Sequence, residues 1–486
     1  MSLARDLGWQ KYDMESRTSL AYQFARYALR LNYESLPKDV VHAAKRSLLD
    51  TLGVAIGAYI KAPGRPVCEA AAIELGGPEE ATLFGSGLRT SALNASLVNS
   101  FLVRFLDYND NGGGCHNSDC MASIIAVCER EKANGKDLLN SIVISYELGA
   151  RVGLIGPGAG AKPSDTNAVE ATPSERPRSP VHFLDSRAGL TMPPALGKIM
   201  GLNEDQIANA IGICASHSFA LGVIMREEPT MSKNIRFGWI AHDAILSCIL
   251  AKNGFTGPVR VFEGGSGLTA LGRVANTGLE LALEREIDFS GWRMLYVRYK
   301  YFRGEGAFHG QMQAAIDIVK ENDLRPQDIK LVRLKSGLVA FSNFLFKYPR
   351  VAEAADHSPY FTTAIAIKER KLDLDSYDPE KFADPVVLDL IDKIVIEQLP
   401  GIVGFSVAGA IEIVTNDDRH FEKRVDTPHG QGDEPLTDRE LEDKFTQMAI
   451  KCMSKKQISK IFDTVWNIDK LDDVNKLTAL MVWKKK

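Results

Sequence analysis

The apolar residues of this chain change period and then change back, and that alternation limits the architectures open to it. Up to about residue 272 they recur every three or four positions, as in Leu20, Phe24, Tyr27 and Leu31, and again in Val40, Val41, Ala44, Leu48 and Leu52. That spacing gives amphipathic helices whose faces must pack on one another. Further helices are predicted in SALNASLVNSFLVRFL, KDLLNSIVISYELGARV and NEDQIANAIGICASHSFAL, the last opening with Asn203 and Gln206 in capping-box positions. Beyond residue 272, Leu295, Val297, Tyr299 and Tyr301 alternate with polar partners, which predicts a half-buried strand. A weaker strand fits IKLVRL, and AIEIVT and HFEKRV flank Asn416-Asp417-Asp418-Arg419 as a hairpin, with helices around His309 to Lys320 and Thr362 to Arg370. From Asp438 the helical spacing returns. The expected fold is therefore mainly α with an α+β insertion: an all-helical domain from residues 1–272 and 432–486, interrupted by a smaller α+β domain over 273–431.

With 486 residues the chain is long enough for more than one core, and the crevice between two bodies is a natural ligand site. Lys and Arg number 58 against 62 Asp and Glu, for a net charge of −4, without a long basic block, so no nucleic-acid partner is expected. No apolar run is long enough to span a bilayer, and MSLARDLGWQKYD lacks the apolar core of a secretory signal. The expectation is a cytoplasmic protein with no membrane partner. Seven scattered cysteines suit reduced thiols better than a disulfide framework. Ile155 to Pro180, rich in Pro, Gly and Ser, reads as a flap near the crevice or as a surface insertion.

One island speaks to chemistry. Phe105-Leu106-Asp107-Tyr108-Asn109-Asp110 is followed by Gly112-Gly113-Gly114-Cys115-His116-Asn117-Ser118-Asp119. The glycines let the chain fold back so that His116 can approach Asp107, which is how an acid/base pair is built, although Asp and Gly serve equally in caps and turns.

Taken with further islands, the chain resembles the MmgE/PrpD family of 2-methylcitrate dehydratases, cis-aconitate decarboxylases and iminodisuccinate epimerase. The likeness rests on LLDTLGVAIGA, SFLVRFLDYND with its following His-x-Ser-Asp, GKIMGLNEDQIANAIGICASHSFALG, TMSKNIRFGWIAHDAILSCILAKNGFTGP, FHGQMQAAID and AADHSPYFTTAIA. It implies a helical domain with a smaller lid, an active site between them, no metal or organic cofactor, and a homodimer. Residue by residue it implies that Asp107, His116, His182, Lys233, His309 and Tyr360 are catalytic, with Lys233 and His309 also binding substrate. Arg226, Arg236 and Arg303 are candidate carboxylate clamps, each with a structural arginine as its alternative.

The resemblance implies activities that can all be drawn through a carbanion, or partial carbanion, next to a carboxylate. Such a state needs cations and hydrogen-bond donors around the oxygen that gathers charge, together with an acid/base pair to move the proton. The expected substrate is a small di- or tricarboxylate, with dehydration of a 2-methylcitrate-type acid as the nominal reaction and decarboxylation or epimerisation as alternatives. His116→Ala or Lys233→Ala is expected to cost orders of magnitude in turnover and to leave the thermal midpoint nearly unchanged. Some positions depart from the family. His116-Asn117-Ser118-Asp119 stands where His-Pro-Ser-Asp is usual, and YFRGEG precedes His309 in place of a more apolar run, which bears on the substrate more than on the fold.

Rival readings are a non-catalytic homologue that binds a carboxylate, a zinc site at Cys115, His116 and Cys120, and a thiol hydrolase. His217, in an apolar stretch, is expected to be a hydrogen-bonded core residue near the crevice. His357 is expected to orient Tyr360 or to cap the following helix, while His42, His420 and His429 lack companions suggesting chemistry.

Overall fold

The computed structural model describes residues 16–110, 117–152, 181–182, 186–225, 227–275, 287–337, 346–402 and 406–483. His116, Arg226 and the 155–180 segment lie outside them, as does the side chain of His182.

The structure is mostly helical with a small mixed sheet. Helices α1 (Leu20–Arg30) and α2 (Lys38–Lys61) form where the apolar spacing places them, with Leu20, Phe24, Val40, Ala44, Leu48 and Leu52 buried. Helix α3 (Ala92–Phe105) starts at Ser91, whose hydroxyl accepts from the Asn94 N–H at 3.2 Å. It is buried on nearly every side, as its lack of a polar face requires. Helices α4 (Met121–Glu131), α5 (Gly135–Val152), α6 (Ser186–Ile199) and α7 (Glu204–Ala215) follow. The last begins with the expected capping box: Gln206 N–H to Asn203 at 2.9 Å and Asn203 N–H to Gln206 at 3.0 Å. Helix α8 (Ser232–Lys252) lies along α3, and the approach is close because Gly238 has no side chain. A Cβ there would meet the Leu97 carbonyl at 2.4 Å.

The segment from 293 to 301 corrects the sequence reading. A 3-10 turn (Arg293–Tyr296) stands where a strand was expected, and burial does not alternate. Leu295 and Tyr301 are exposed, whereas Lys300 is buried. The cause is electrostatic: the backbone N–H of Met294 donates to Glu147 at 2.8 Å, and the Lys300 ammonium is drawn inward to Asp107.

Helix α9 (His309–Glu321) then packs on a four-stranded sheet with strands β1 (Ile329–Ser336), β2 (Ile394–Gln398), β3 (Gly409–Thr415) and β4 (His420–Val425) in the order β2-β1-β3-β4. The hairpin β3–β4 is antiparallel as expected, and its turn places Asp418 at φ 58°. Strand β2 was not anticipated; it pairs with β1 in parallel, a contact that local sequence does not signal. Helix α10 (Pro359–Glu369) packs against α9, capped by the Ser358 hydroxyl, which accepts from the Phe361 N–H at 3.1 Å. Helices α11 (Asp438–Ala449) and α12 (Lys455–Trp466) close the chain onto α2.

Two main apolar clusters result. One joins residues between Leu20 and Tyr299 to Leu436 and the residues up to Met481; the other spans Phe302 to Ile413 under the sheet. The site described next lies where their boundary residues meet. No helix among the described residues is long and apolar enough to cross a membrane.

Candidate functional site

The centre of the site is the end of α3. Asp107 follows the helix with φ 46°, a left-handed conformation that aspartate tolerates better than most residues, and its N–H donates to the Arg104 carbonyl at 3.1 Å. This tight turn points the carboxylate at two cations, the Arg104 guanidinium and the Lys300 ammonium, the latter at 2.9 Å. Lys300 also donates to the carbonyls of Asp107 and Gly304, both at 3.0 Å, so all three of its hydrogens are used. Burial works against ionisation of Asp107, but the charges of Arg104 and Lys300, helped by His357 and Lys233, outweigh it and hold the carboxyl well below the usual range.

Lys233 enters from the first turn of α8. Its ammonium, fully buried, donates to Asp356 Oδ1 at 2.8 Å and to the Glu353 carbonyl at 3.0 Å, and lies 2.9 Å from His357 Nδ1. Burial lowers its pKa, and Asp356 and Asp107 oppose that shift. Asp356 and His357 precede the cap of α10. His357 Nδ1 lies 2.5 Å from Asp356 Oδ1 and 3.9 Å from Asp107 Oδ2, while Nε2 lies 3.1 Å from Glu305 Oε2. Burial and Lys233 disfavour the imidazolium, yet Asp356 and Glu305 raise its pKa overall. The carboxyls of Asp356 and Glu305 are correspondingly held low despite burial.

His309, the first residue of α9, is buried with its ring edge-on to Phe302 at 5.8 Å. Burial first, and Lys300 second, push its pKa down to about 3, so the imidazole is neutral at ordinary pH. Neither ring nitrogen has a well-formed hydrogen bond among the described residues, and the same is true of the Asn234 and Gln311 amides and of Asp107 Oδ2. Buried polar atoms in this state are available to a ligand or to water.

The seven groups Arg104, Asp107, Lys233, Lys300, Glu305, Asp356 and His357 carry four cationic centres against three carboxylates when His357 is protonated. Asp119, 3.7 Å from Arg104 Nε, adds only part of a negative charge near neutral pH because burial pushes its carboxyl up to about 7. Such a site favours an anionic guest. Asp107, Asp356 and His357 bring three potential metal-ligand atoms within 4.8 Å of one another, but Lys233 and Lys300 already serve those carboxylates, and a dication would meet like charge.

Of the residues singled out from sequence, the structure brings Asp107, Lys233 and His309 into one charged neighbourhood. Arg303 is fully buried and spends its guanidinium on the carbonyls of Leu106 (3.3 Å) and Leu374 (3.0 Å), over the Tyr377 ring. It braces the loop before Asp107 in the manner of a structural arginine. Arg236 lies over the Phe237 ring at 4.9 Å, which Arg104 also faces at 5.5 Å. Tyr360 is half-buried against the second apolar cluster, with Lys347 over its ring at 5.8 Å. His182 lies in a two-residue strand paired with Ala220–Leu221. Cys120 is buried, its thiol donating to the Phe237 carbonyl. His217 is exposed, 3.5 Å from Asp243, which corrects its expected place in the core.

Sequence reasoning missed Arg104, Lys300, Glu305 and Asp356, and gave His357 a lesser part. The i,i+3 spacing of Arg104 and Asp107 was a signal, and so was the adjacent Asp356-His357 pair. A separate cleft of about 590 Å³ opens between α9 and α11, lined in part by Tyr108, Tyr301, Lys320, His429 and Lys444, but not by Asp107, Lys233 or His357.

The fold is mainly helical with a small mixed sheet, and the buried array joins cations and carboxylates from separate segments of the chain. Residues 22–169 and 185–274 match the MmgE/PrpD N-terminal domain, and residues 302–468 match the MmgE/PrpD C-terminal domain; the chain belongs to the MmgE/PrpD family. It is similar to a cis-aconitate decarboxylase-like protein, oryM, of Aspergillus oryzae (23% identity, covering 96% of this chain and 98% of the relative). It is also similar to the cis-aconitate decarboxylase of Homo sapiens (24%, 95% and 94%) and to the 2-methylcitrate dehydratase-like protein oryR of Aspergillus oryzae (26%, 87% and 87%).

Proposed function

We propose that this chain is a cofactor-independent lyase acting on a citrate-type di- or tricarboxylate. Decarboxylation of a cis-aconitate-like acid takes precedence here over the 2-methylcitrate-type dehydration that the sequence put first. The observation that carries this reading is the charge census: among the described residues the site is rich in cations and poor in free bases. Asp107 is neutralised twice over, and His357 is poised as an acid. In a decarboxylation the C–COO⁻ bond breaks, carbon dioxide leaves, and the electron pair remains on carbon, delocalised toward a neighbouring carboxylate. Lys233 and Lys300 stabilise that charge, neutral His309 helps to hold a substrate oxygen, and a proton from His357 completes the product. His116, put forward from the sequence as the principal acid/base group paired with Asp107, shares that part with His357 in this scheme, with His182 as a second proton handler and Tyr360 as a donor. The decarboxylase relatives also cover more of the chain than the dehydratase-like relatives do.

We further propose that the two apolar clusters are a helical domain and a lid, and that the protein works as a homodimer. Trp239 and Leu246 are exposed and, seven residues apart on α8, share one face of that helix, an apolar face suited to a second copy.

Proton NMR in deuterated water with a panel of citrate-like acids tests the activity. Loss of carbon dioxide with one deuterium incorporated supports the proposal. Loss of water would restore dehydration to first place, and exchange alone would indicate epimerase chemistry. Binding without any conversion would leave a non-catalytic carboxylate-binding homologue.

A further inference from the structure

Lys444 lies outside the charged array just described, yet its side chain is 95% buried within α11 and its ammonium makes three hydrogen bonds to three remote segments. It donates to Asp50 Oδ1 in α2 at 2.8 Å, to the Tyr108 carbonyl at 2.6 Å and to the Lys300 carbonyl at 2.9 Å. These use every hydrogen the group has. The same nitrogen sits 4.0 Å from the centre of the Tyr108 ring, which fixes the ring as well as the backbone.

Two of those three partners are main-chain atoms of the site. Tyr108 follows Asp107, whose left-handed φ has to be held against relaxation, and Lys300 is the residue whose ammonium meets the Asp107 carboxylate. Without Lys444, two buried carbonyls and one buried carboxylate would lose their donor together. We propose that Lys444 is a positioning residue, its ammonium locking the Tyr108 and Lys300 backbones so that Asp107 and Lys300 face each other in the geometry the reaction needs. This rests on the functional reading above in one respect only, that the Asp107–Lys300 pair is the working part of the site. Asp50 supplies the countercharge that lets the ammonium be buried, and Lys444 in turn reads the backbone.

The countercharge and the backbone lock can be separated. Lys444→Met alone strands the Asp50 carboxylate and is expected to destabilise the protein. Asp50→Asn with Lys444→Met removes both charges and is expected to regain most of the thermal midpoint. In the full-length double variant, amide hydrogen exchange over 106–110 and 299–304 is expected to rise about tenfold or more, while α2 and α11 stay protected. On whichever acid the parent converts, kcat is expected to fall about 10²-fold with KM nearly unchanged, the mark of lost orientation and not of lost binding. Parental exchange in both segments, or parental kcat in the double variant, would overturn the proposal. Faster exchange in a protein whose parent converts none of the acids would uphold the role of Lys444 and refute the lyase reading instead.

Discussion

Replacing Lys233 with methionine gives the sharpest test of the charged interior, because a substitution expected from sequence to be silent in stability falls on a wholly buried charge. The Lys233 ammonium is wholly buried and lies 2.8 Å from Asp356, which is also fully buried and has His357 as its other positive neighbour. Removing one partner of a buried pair costs about 3–5 kcal/mol, because the remaining charge loses its compensation in a poorly solvating interior. Unfolding entropy of about 2.1 cal/mol/K per residue gives about 1 kcal/mol/K for a chain of this length, so the midpoint should fall by about 3–5 °C. The buried pair thus argues for a lowered midpoint on loss of Lys233. Differential scanning calorimetry of Lys233→Met, beside Lys233→Met with Asp356→Asn, measures it directly. The double variant should recover at least half of the loss. A single variant melting within about 1 °C of the parent would refute the claim that this ammonium compensates the buried carboxylate.

Lys300→Met should lower turnover by about 10²–10³-fold on whichever acid the parent converts, and undiminished turnover would remove Lys300 from the mechanism. His309 should stay neutral down to pH 5 by NMR of its imidazole; a midpoint near 6.5 would contradict its burial as a neutral ring. The unfolded ring binds its proton near 6.5 and the folded one near 3. Stability from this group is thus complete above 6.5 and is lost as pH falls toward 3, by up to about 1.4 kcal/mol per pH unit, a slope that His309→Gln should remove. Trp239→Glu should convert the protein to monomers in sedimentation velocity, and an unaltered sedimentation coefficient would place the copy-to-copy contact elsewhere.

Much of the helical part could be read from the chain because its information is local. The capping box at Asn203, the stripes of α1 and α2 and the Asn416–Arg419 turn each declare themselves within a few residues. Strand β2 does not: IVIEQ is short, and its parallel partner is more than fifty residues away. The 293–301 segment misleads for a different reason. Its apolar alternation is real, but an ion pair draws Lys300 inward and leaves Tyr301 at the surface, so charge overrides hydrophobicity. In the site, Asp107, Lys233 and His309 stood out through resemblance, whereas Arg104, Glu305 and Asp356 each look in sequence like an ordinary surface or capping residue. Their partners lie up to about 250 positions away, and only the tertiary structure makes them a unit.

The packing of α11 on α2 has a consequence for biosynthesis. Gly53 in α2 leaves room for Phe445, whose ring carbon would stand 2.8 Å from a Cβ there, so a helix made early waits for a partner made almost four hundred residues later. Until that partner emerges, the nascent polypeptide carries an uncovered apolar groove along α2. Contacts of such long range slow folding and leave apolar surface uncovered in the meantime, so refolding of this chain is expected to be slow.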